Sequence, residues 1–381
     1  MKGSKQEETS ENEEQGQTEQ SRQTVAEEND AEQAKTAGNL EVHFIDVGQG
    51  DATLIKCDGH SMLIDAGNND KGTLVQNYLQ HQGVETLDYV IGTHPDADHI
   101  GGMDVVLYKF DCKTIIMPDV ANNTRTYDDV VQTMKNKGYK TTYPVVGETY
   151  TIGGAAFTII APNKEYGNDM NSWSVGVLLQ NGNHRFLFTG DAEEGAEQDI
   201  LQNGIDISAD VYKVAHHGSN TATSQAFLDA VHPTYAVISA GEGNSYGHPH
   251  AEVLNRLRAA GVSVFRTDEQ GTIVAASDGT TLTWNMSPSE SWQAGEAEKS
   301  QNTEKSEKAA DNQNNAETDA AVSNPTDQTD GNSDVIVHIT KTGEKYHSAG
   351  CQYLRQSDIE VTLSEAKAKG LTPCSKCNPP Q

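Results

Sequence analysis

Basic residues are scarce in this sequence of 381 residues. Lys and Arg number 27 against 56 Asp and Glu, which gives a formal net charge of −29 at pH 7. A protein that grips nucleic acid by its phosphates usually carries a basic stripe, and no dense basic run occurs here. The sequence therefore argues against tight, processive binding of a polyanion, although bound metal ions can still neutralise a phosphate locally.

Long apolar runs and cysteines are also few. No stretch reaches the roughly 20 apolar residues that a membrane-spanning helix needs, and no signal peptide is visible at Met1. Of the five cysteines, Cys57 and Cys112 lie in strand patterns and are expected to be buried without a functional role. The Glu/Gln/Ser/Thr-rich start is typical of a tether that follows a secretion signal. We expect an extracellular or surface-attached protein whose signal is not present in this chain, with the cytoplasm as the alternative.

Composition divides the chain into four regions. Residues 1–39 have almost no apolar side chains and are predicted to be disordered. Residues 40–285 contain nearly all the strong apolar patterns and can bury a full core. Residues 286–333 return to Ser, Asn, Glu, Asp, Ala and Lys, which predicts a solvated linker. Residues 334–381 are predicted to form a small separate module.

The segment Thr93 to Gly102, T-H-P-D-A-D-H-I-G-G, has the strongest functional signal. It places four potential metal ligands, His94, Asp96, Asp98 and His99, directly after the apolar strand pattern Leu87–Gly92. Alternate residues of a turn leaving a strand can point to one side, so three of these side chains can converge while His99 turns to a neighbouring spot. Imidazoles and carboxylates without thiolates suit Zn, Mn or Fe, and room for two ions implies metal-activated water.

Further acid and imidazole side chains follow later strand patterns. R-F-L-F-T-G-D ends in Asp191, V-Y-K-V-A-H-H-G-S contains His216 and His217, and N-S-Y-G-H-P-H contains His248. Each segment alone is a weak signal, because a single His at a strand end is more often structural. Together with the first cluster they predict a dinuclear metal site in which Asp191 is well placed to bridge two cations.

These motifs, in this order, resemble the metallo-β-lactamase fold and, more narrowly, the hydrolase domain of ComEC-type competence proteins. The segments F-I-D-V-G-Q-G-D-A (Phe44–Ala52) and L-I-D-A-G (Leu63–Gly67) also match that group. The alternation of strand and helix patterns indicates an α/β protein. The resemblance implies a four-layer αββα sandwich with a dinuclear site along one edge of two sheets.

The resemblance also implies roles for individual residues. His94 and Asp96 would hold the first metal, Asp98 and His99 the second, Asp191 would bridge both, and either His216 or His217 would complete the coordination of the second metal. His248 would lie near the substrate. Asp98, His248, Asn171 and Ser174 are the candidates for catalytic groups. Asp65 and Asp46 are candidates for orienting the ligating histidines, with a turn-forming Asp as the alternative for each.

Two positions differ from the wider superfamily. Asp96 stands where a His is usual, and the further His ligand expected before Asp191 is missing, since His184 opens a strand pattern and the corresponding segment reads N-S-W-S-V. Asn171 and Ser174 are therefore expected to approach the first metal, or that metal is held weakly. More oxygen ligands favour harder ions such as Mn over Zn.

The C-terminal module has a separate metal signature. His347 and Cys351 form H-x3-C, and Cys374 and Cys377 form C-x2-C. This set predicts one closed structural Zn site, because three cysteines leave an odd thiol for disulfides and so small a module gains from a metal clip. It resembles Ada-like and ribbon-type zinc tails, and its expected role is structural or in docking to a surface or protein.

The sequence as a whole predicts a dinuclear metallohydrolase, most plainly a phosphodiesterase or nuclease acting on DNA. The alternatives are a phosphodiesterase on a cell-wall polymer, as in teichoic-acid phosphorylcholine esterases, and a lactone or other ester hydrolase. The non-enzyme alternative is a metal-stabilised binding protein. The pattern gives no indication of an oligomeric state.

Overall fold

The computed structural model describes residues 37–295, 336–340, 345–347, 359–369, 371–374 and 376–377. The described residues fall into two units, divided between Thr303 and Glu304. Among them there is no helix with the length and apolar character needed to span a bilayer. Most of the predicted N-terminal disordered segment 1–39 and of the predicted linker 286–333 lies outside the described residues.

The first unit consists of short strands and helices that alternate along the chain. In chain order its strands are β1 (Leu40–Phe44), β2 (Thr53–Cys57), β3 (His60–Ile64), β4 (Thr86–Ile91), β5 (Asp111–Ile116), β6 (Thr141–Thr142), β7 (Thr149–Ile152), β8 (Ala155–Ala161), β9 (Gly176–Asn181), β10 (His184–Phe188), β11 (Val211–Lys213), β12 (Tyr235–Ile238), β13 (Ser263–Arg266), β14 (Ile273–Ser277) and β15 (Leu282–Trp284). Its helices are α1 (Gly72–His81), α2 (Ala97–Ile100), α3 (Met103–Lys109), α4 (Arg125–Lys137), α5 (Glu194–Gln202), α6 (Gln225–Val231), α7 (Ala251–Ala259) and α8 (Thr267–Gln270).

The strands form two sheets of mixed direction. The first has the order β15-β14-β1-β2-β3-β4-β5-β6, and the second has the order β13-β12-β11-β10-β9-β8-β7. Within the first, β3, β4, β5 and β6 are parallel neighbours. Within the second, β10, β11, β12 and β13 are parallel neighbours. The carboxyl ends of each parallel set therefore lie at one edge of its sheet.

Both faces of each sheet are buried, which makes four layers. In β3, Met62 and Ile64 belong to the core between the sheets, whereas Leu63 packs with Val75 and Leu79 of α1 on the other face. This alternation follows from the two-residue period of a strand. Helices α1, α3 and α4 cover the first sheet, and α5, α6 and α7 cover the second. The predicted αββα sandwich is thus confirmed.

The packed part of this unit reaches residue 295, beyond the predicted boundary at 285. Trp292 packs against the second helical layer, with the guanidinium carbon of Arg258 at 5.8 Å from the centre of its ring. The backbone N–H of Ser289 donates to the carbonyl of Val264 at 2.7 Å. Residues 286–295 are mostly polar, so the sequence alone did not indicate that Trp292 anchors them to the domain.

The second unit is a small sheet with one helix. Its strands are β16 (Ile336–Ile339), β17 (Lys345–His347), β18 (Ile359–Thr362) and β19 (Thr372–Pro373), and its helix is α9 (Leu363–Ala368). The sheet order is β18-β16-β17-β19. Val337, Tyr346, Leu363 and Ala366 form its buried centre. A core of this size gives little stability by itself.

Candidate metal centre

The candidate centre lies where parallel strands of both sheets end. The carboxyl ends of β3 and β4 lead into Asp65 and the segment Thr93–His99. The ends of β10, β11 and β12 lead into Asp191, the pair His216–His217 and the loop Gly241–His250. Ligand sites in open α/β sheets form at such ends, because separate loops converge there.

The first ligand segment is half loop and half helix. The chain bends at His94 and Pro95 after β4. Asp96 has an extended backbone, with φ −88° and ψ 153°, and α2 then begins at Ala97. Asp98 and His99 therefore lie on a helical turn rather than on the alternating turn that the sequence suggested. Consecutive helical residues point about 100° apart, so Asp98 and His99 reach different parts of the same centre.

The two glycines after this turn allow it to pack directly on neighbouring backbone. A Cβ atom on Gly101 would lie 2.3 Å from the backbone nitrogen of Asn69. A Cβ atom on Gly102 would lie 2.3 Å from the carbonyl oxygen of Ala66. Any larger residue would push the turn, and with it His99, away from the loop that follows β3.

Five side chains from three loops form the cluster. Nε2 of His99 lies 3.2 Å from Oδ1 of Asp191. Nε2 of His217 lies 3.2 Å from Oδ2 of Asp98 and 3.4 Å from Oδ2 of Asp191. His94, His99 and Asp191 bring one ligand atom each within 4.8 Å of one another, and so do Asp98, His99 and His217. His99 therefore belongs to both ligand sets, and Asp191 of the first set also approaches His217 of the second.

Hydrogen bonds on the far side of His99 and His217 fix which ring nitrogen faces the cluster. Nδ1 of His99 lies 2.8 Å from Oδ2 of Asp65, and Nδ1 of His217 lies 3.0 Å from the carbonyl oxygen of Ser239. Both partners are acceptors, so each Nδ1 carries a proton, and in the neutral form of each ring the lone pair of Nε2 faces the cluster. Thr93 supports Asp65 through its backbone N–H at 2.8 Å and its hydroxyl at 2.7 Å.

His94 is held from behind by hydroxyl groups. Its Nδ1 lies 3.2 Å from the hydroxyl of Thr93 and 3.3 Å from that of Ser174. The same Ser174 hydroxyl accepts the backbone N–H of Asp191 at 3.0 Å. Ser174 therefore links His94 to Asp191 on the side of the imidazole ring that faces away from the cluster. Its hydroxyl lies next to Nδ1 of His94 and not next to Nε2.

The buried polar atoms of the cluster fit a cation. Nε2 of His94, His99 and His217 and Oδ1 of Asp191 are buried and have no hydrogen-bond partner among the described residues. Leaving a polar atom buried without a partner costs about 1–3 kcal/mol, so four such atoms converging on one place call for an additional positive group. Neutral imidazole and carboxylate are the donors that divalent transition metals accept.

The electric field of the cluster also favours a cation. Burial opposes ionisation of Asp191, but His99 and His217 outweigh it and hold the pKa of Asp191 well below its ordinary value. Burial likewise disfavours a charged His217, yet Asp191 and neighbouring acids raise its pKa to about 10. The buried carboxylates thus attract positive charge strongly enough to overcome desolvation.

The backbone of the H-H-G-S turn decides which histidine enters the cluster. His216 and His217 both have left-handed backbones, with φ 50° and 54°. That conformation costs about 1–2 kcal/mol for a residue with a Cβ atom, and two in succession are typical of a functional site. The turn buries His217 at 1% exposure and leaves the His216 side chain 20% exposed. Nε2 of His216 lies 3.6 Å from Oδ2 of Asp191.

The remaining predicted site residues surround the cluster. Oδ2 of Asp96 lies 3.8 Å from Nε2 of His94, and the Asp96 side chain is 39% exposed. The side-chain amide of Asn171 donates to Oε1 of Glu193 at 3.2 Å. The structure thus brings Asp96 close to His94 of the first ligand set. Asn171 instead bonds to Glu193 at the rim of the cluster. His216 lies beside them, with its Nδ1 at 3.5 Å from Oε1 of Glu193.

His248 lies beside the cluster. Its ring centre is 5.6 Å from that of His216 and 6.0 Å from that of His217. Burial and the neighbouring histidines lower the pKa of His248 to about 3, so the ring is neutral at physiological pH. Its Nδ1 is buried without a hydrogen-bond partner among the described residues.

Two buried residues near the cluster were not predicted from the sequence. Lys213, the last residue of β11, places its ammonium nitrogen 2.9 Å from Asp51, and Oδ1 of Asp51 lies 3.7 Å from Nδ1 of His217. Asp51 and Lys213 both lie inside motifs already described. The lysine within an apolar strand pattern was the sequence feature that could have indicated this buried pair. Asp46, by contrast, accepts the backbone N–H of Gly48 and so stabilises a turn.

The predicted zinc ligands of the second unit also converge. His347, Cys374 and Cys377 each bring one ligand atom within 4.8 Å of the others, and Sγ of Cys377 lies 3.8 Å from Nδ1 of His347. The pairing of β19 with β17 brings them together, since the N–H of Cys374 donates to the carbonyl of Tyr346 at 2.9 Å. Cys351, the fourth predicted ligand, lies outside the described residues.

A sandwich of two sheets with a His/Asp cluster at their shared edge defines a class of metal-dependent hydrolases. The family model described as the metallo-beta-lactamase superfamily matches residues 45–242, more than half of the chain. The protein belongs to the metallo-β-lactamase superfamily, as its motifs suggested.

Its curated relatives are competence proteins of the ComEC type. ComE operon protein 3 of Bacillus subtilis (strain 168) is 31% identical over 255 residues, which cover 61% of this chain and 32% of that protein. Recombination protein 2 of Haemophilus influenzae is 33% identical over 238 residues, covering 61% and 28%. Competence protein ComA of Neisseria gonorrhoeae is 29% identical over 230 residues, covering 60% and 31%. The chain spans about a third of the length of these relatives.

Proposed function

We propose that residues 40–285 form a hydrolase domain that uses two divalent ions, Zn or Mn, to cleave phosphodiester bonds of nucleic acid. The assigned ligands are His94 and Asp96 for the first ion, Asp98, His99 and His217 for the second, and Asp191 for both. The observation that carries the proposal is the set of buried Nε2 and carboxylate atoms that converge without hydrogen-bond partners among the described residues. The Asp96 carboxylate adds an oxygen donor, which favours Mn at the first position.

The side chains around the cluster have separate tasks in this proposal. Bound ions would supply an activated water and offset negative charge on the phosphate. Asp65 and Ser239 accept from Nδ1 of His99 and His217, so that Nε2 of each ring faces the position of the ions. Neutral His248 lies beside the cluster and has an unpaired ring nitrogen among the described residues, so it suits a hydrogen bond to a phosphate oxygen or to the leaving group.

Two observations bear on the choice of substrate. The names of two relatives refer to recombination and competence, and both concern DNA. Against this, residues 40–285 contain 14 Lys and Arg and 31 Asp and Glu, a charge that repels a long polyanion. The second candidate function is therefore a phosphodiesterase on a zwitterionic cell-wall polymer. An extracellular or surface-attached location remains a prediction from the composition of residues 1–39.

The test uses metal-stripped protein with Mn or Zn added back separately. We expect hydrolysis of both bis-p-nitrophenyl phosphate and single-stranded DNA, restored by the preferred ion and absent without it. Cleavage of the small diester alone would keep the diester chemistry and favour the cell-wall polymer. Failure of both ions to restore any cleavage would contradict the proposal.

We propose that the second unit binds one structural Zn through His347, Cys351, Cys374 and Cys377. A bound Zn shields thiolates from alkylation. Strong chelator should therefore make the peptide with Cys374 and Cys377 react with iodoacetamide, as measured by mass spectrometry. Cys57 and Cys112, which are 0% and 7% exposed, serve as internal controls that stay unlabelled. Labelling that requires a reductant instead of a chelator would indicate a disulfide and contradict the assignment.

A further inference from the structure

One large aromatic side chain stands exposed next to the metal cluster. Tyr246 lies in the loop after β12 and is 63% exposed. Its ring centre is 5.5 Å from that of His248, and the two rings are inclined by only 17°. Burial of an aromatic ring is strongly favourable, so a tyrosine left this open beside a catalytic edge calls for an explanation.

Hydrogen bonds hold the backbone of this tyrosine in place. The side-chain oxygen of Asn244 accepts the backbone N–H groups of Tyr246 at 3.2 Å and His248 at 3.0 Å. The side-chain nitrogen of Asn244 donates to the carbonyls of Gly241 at 2.9 Å and His248 at 2.6 Å. Nε2 of His250 lies 3.2 Å from the carbonyl of Tyr246. The exposed ring is therefore presented by a fixed loop, which limits the entropy lost when a ligand binds to it.

The ring continues a series that begins at the cluster. His217 belongs to the cluster, the His248 ring lies 6.0 Å from it at an inclination of 28°, and Tyr246 lies one ring farther out. His248 is 5% exposed, and its Nδ1 has no hydrogen-bond partner among the described residues. If a substrate group lay on the Tyr246 ring, the phosphate attached to that group would lie close to the unpaired Nδ1 of His248.

The charge of the domain makes such a contact important. With 31 acidic against 14 basic residues from 40 to 285, general attraction to phosphates is weak. Stacking of a base on an aromatic ring contributes about 1–3 kcal/mol and does not depend on charge. Only a base that is not already paired and stacked in a duplex can make this contact at full strength.

We propose that Tyr246 is the platform on which an unpaired nucleobase beside the scissile phosphate stacks, so that single-stranded nucleic acid is the preferred substrate. This inference rests on the proposed nuclease function. A quaternary ammonium group such as choline also binds aromatic rings, but it is usually held in a cage of several rings. A single open tyrosine backed by a nearly parallel imidazole fits a planar base better.

The test compares two short substrates with the same backbone, oligothymidylate and its abasic counterpart. The measured quantity is kcat/KM on oligothymidylate divided by kcat/KM on the abasic substrate. Tyr246→Ala should lower this ratio about 5- to 150-fold, which corresponds to the loss of one stacked base. Tyr246→Phe should keep the ratio of the unmodified protein. Tyr108→Ala is the matched control, because Tyr108 is 64% exposed on α3, outside the loops of the cluster, and its removal should leave the ratio unchanged.

Four outcomes would overturn the proposal. Unchanged kcat/KM on both oligonucleotides in Tyr246→Ala would show that no base lies on this ring, and an equal loss of kcat/KM on both would indicate a purely structural role. A loss confined to p-nitrophenylphosphorylcholine would assign the ring to a cationic ligand. Cleavage of bis-p-nitrophenyl phosphate without cleavage of either oligonucleotide would remove nucleic acid as substrate while leaving the diesterase function intact.

Discussion

Replacing Asp191 by Asn is expected to lower kcat/KM for phosphodiester hydrolysis by at least about a thousandfold while the fold is retained. Asp191 forms one ligand set with His94 and His99, and its Oδ2 lies 3.4 Å from Nε2 of His217. An amide at this place removes the negative charge that the two proposed ions would share. Loss of a metal's stabilisation of transition-state charge amounts to several kcal/mol, and each 1.36 kcal/mol corresponds to a factor of ten.

The measurement needs a matched control and a check of folding. Asp128→Asn makes the same chemical change at an exposed position on α4 and should leave activity and metal content unaffected. Metal content and thermal unfolding of both variants separate loss of the ions from loss of structure. If Asp191→Asn kept more than a tenth of the activity at saturating metal, the shared-ligand assignment would be wrong.

Much of the fold and of the cluster could be predicted because the important side chains occur in short runs at strand ends. The strand pattern Leu87–Gly92 became β4. Helix α5 was missed. Its buried face includes Glu197, which is 0% exposed and accepts the backbone N–H of Ser224 at 2.9 Å. Because an acidic residue occupies this buried position, the helical spacing of apolar residues is interrupted in the sequence.

The choice between adjacent residues could not be read from the sequence. His216 and His217 are chemically identical, and only two consecutive left-handed backbone conformations turn one of them into the cluster. Asp46 and Asp65 both stand beside apolar strand ends, yet Asp65 contacts His99 while Asp46 closes a turn. Such distinctions depend on backbone dihedral angles and on packing, which leave no periodic trace in the sequence.

The pair Asp51 and Lys213 shows a second limit. The two residues are 162 positions apart, and each lies in a motif whose neighbours attract more notice. Lys213 is buried on β11, where its ammonium group also donates to the carbonyl of Val214 at 3.2 Å. Asp51 accepts the N–H of Gly67 through its backbone carbonyl and donates its own N–H to Asp98. The ion pair therefore joins the second sheet to the loops of the first, directly beneath the cluster.

Replacing Lys213 by Met is expected to destabilise the protein by about 3–5 kcal/mol, because it leaves a buried carboxylate without its partner. Burial opposes the charged form of Asp51, and the adjacent ammonium of Lys213 outweighs this effect and holds its pKa below the ordinary value. Methionine preserves most of the volume of the lysine stem, so the expected loss comes from the charge. Urea unfolding of metal-free protein measures it.

The surface pair Lys56–Glu41 provides the matched control, because Lys56→Met removes an ion pair of 3.1 Å between side chains that are 29% and 47% exposed. A pair so exposed contributes about 0–1 kcal/mol. Asp51→Asn combined with Lys213→Met removes both buried charges and should cost less than the sum of the single changes. Saturating metal should also recover part of the stability of Lys213→Met, since a cation in the cluster supplies the positive charge that Asp51 has lost. Equal losses in Lys213→Met and Lys56→Met, with or without metal, would mean that the buried pair does not support the metal centre.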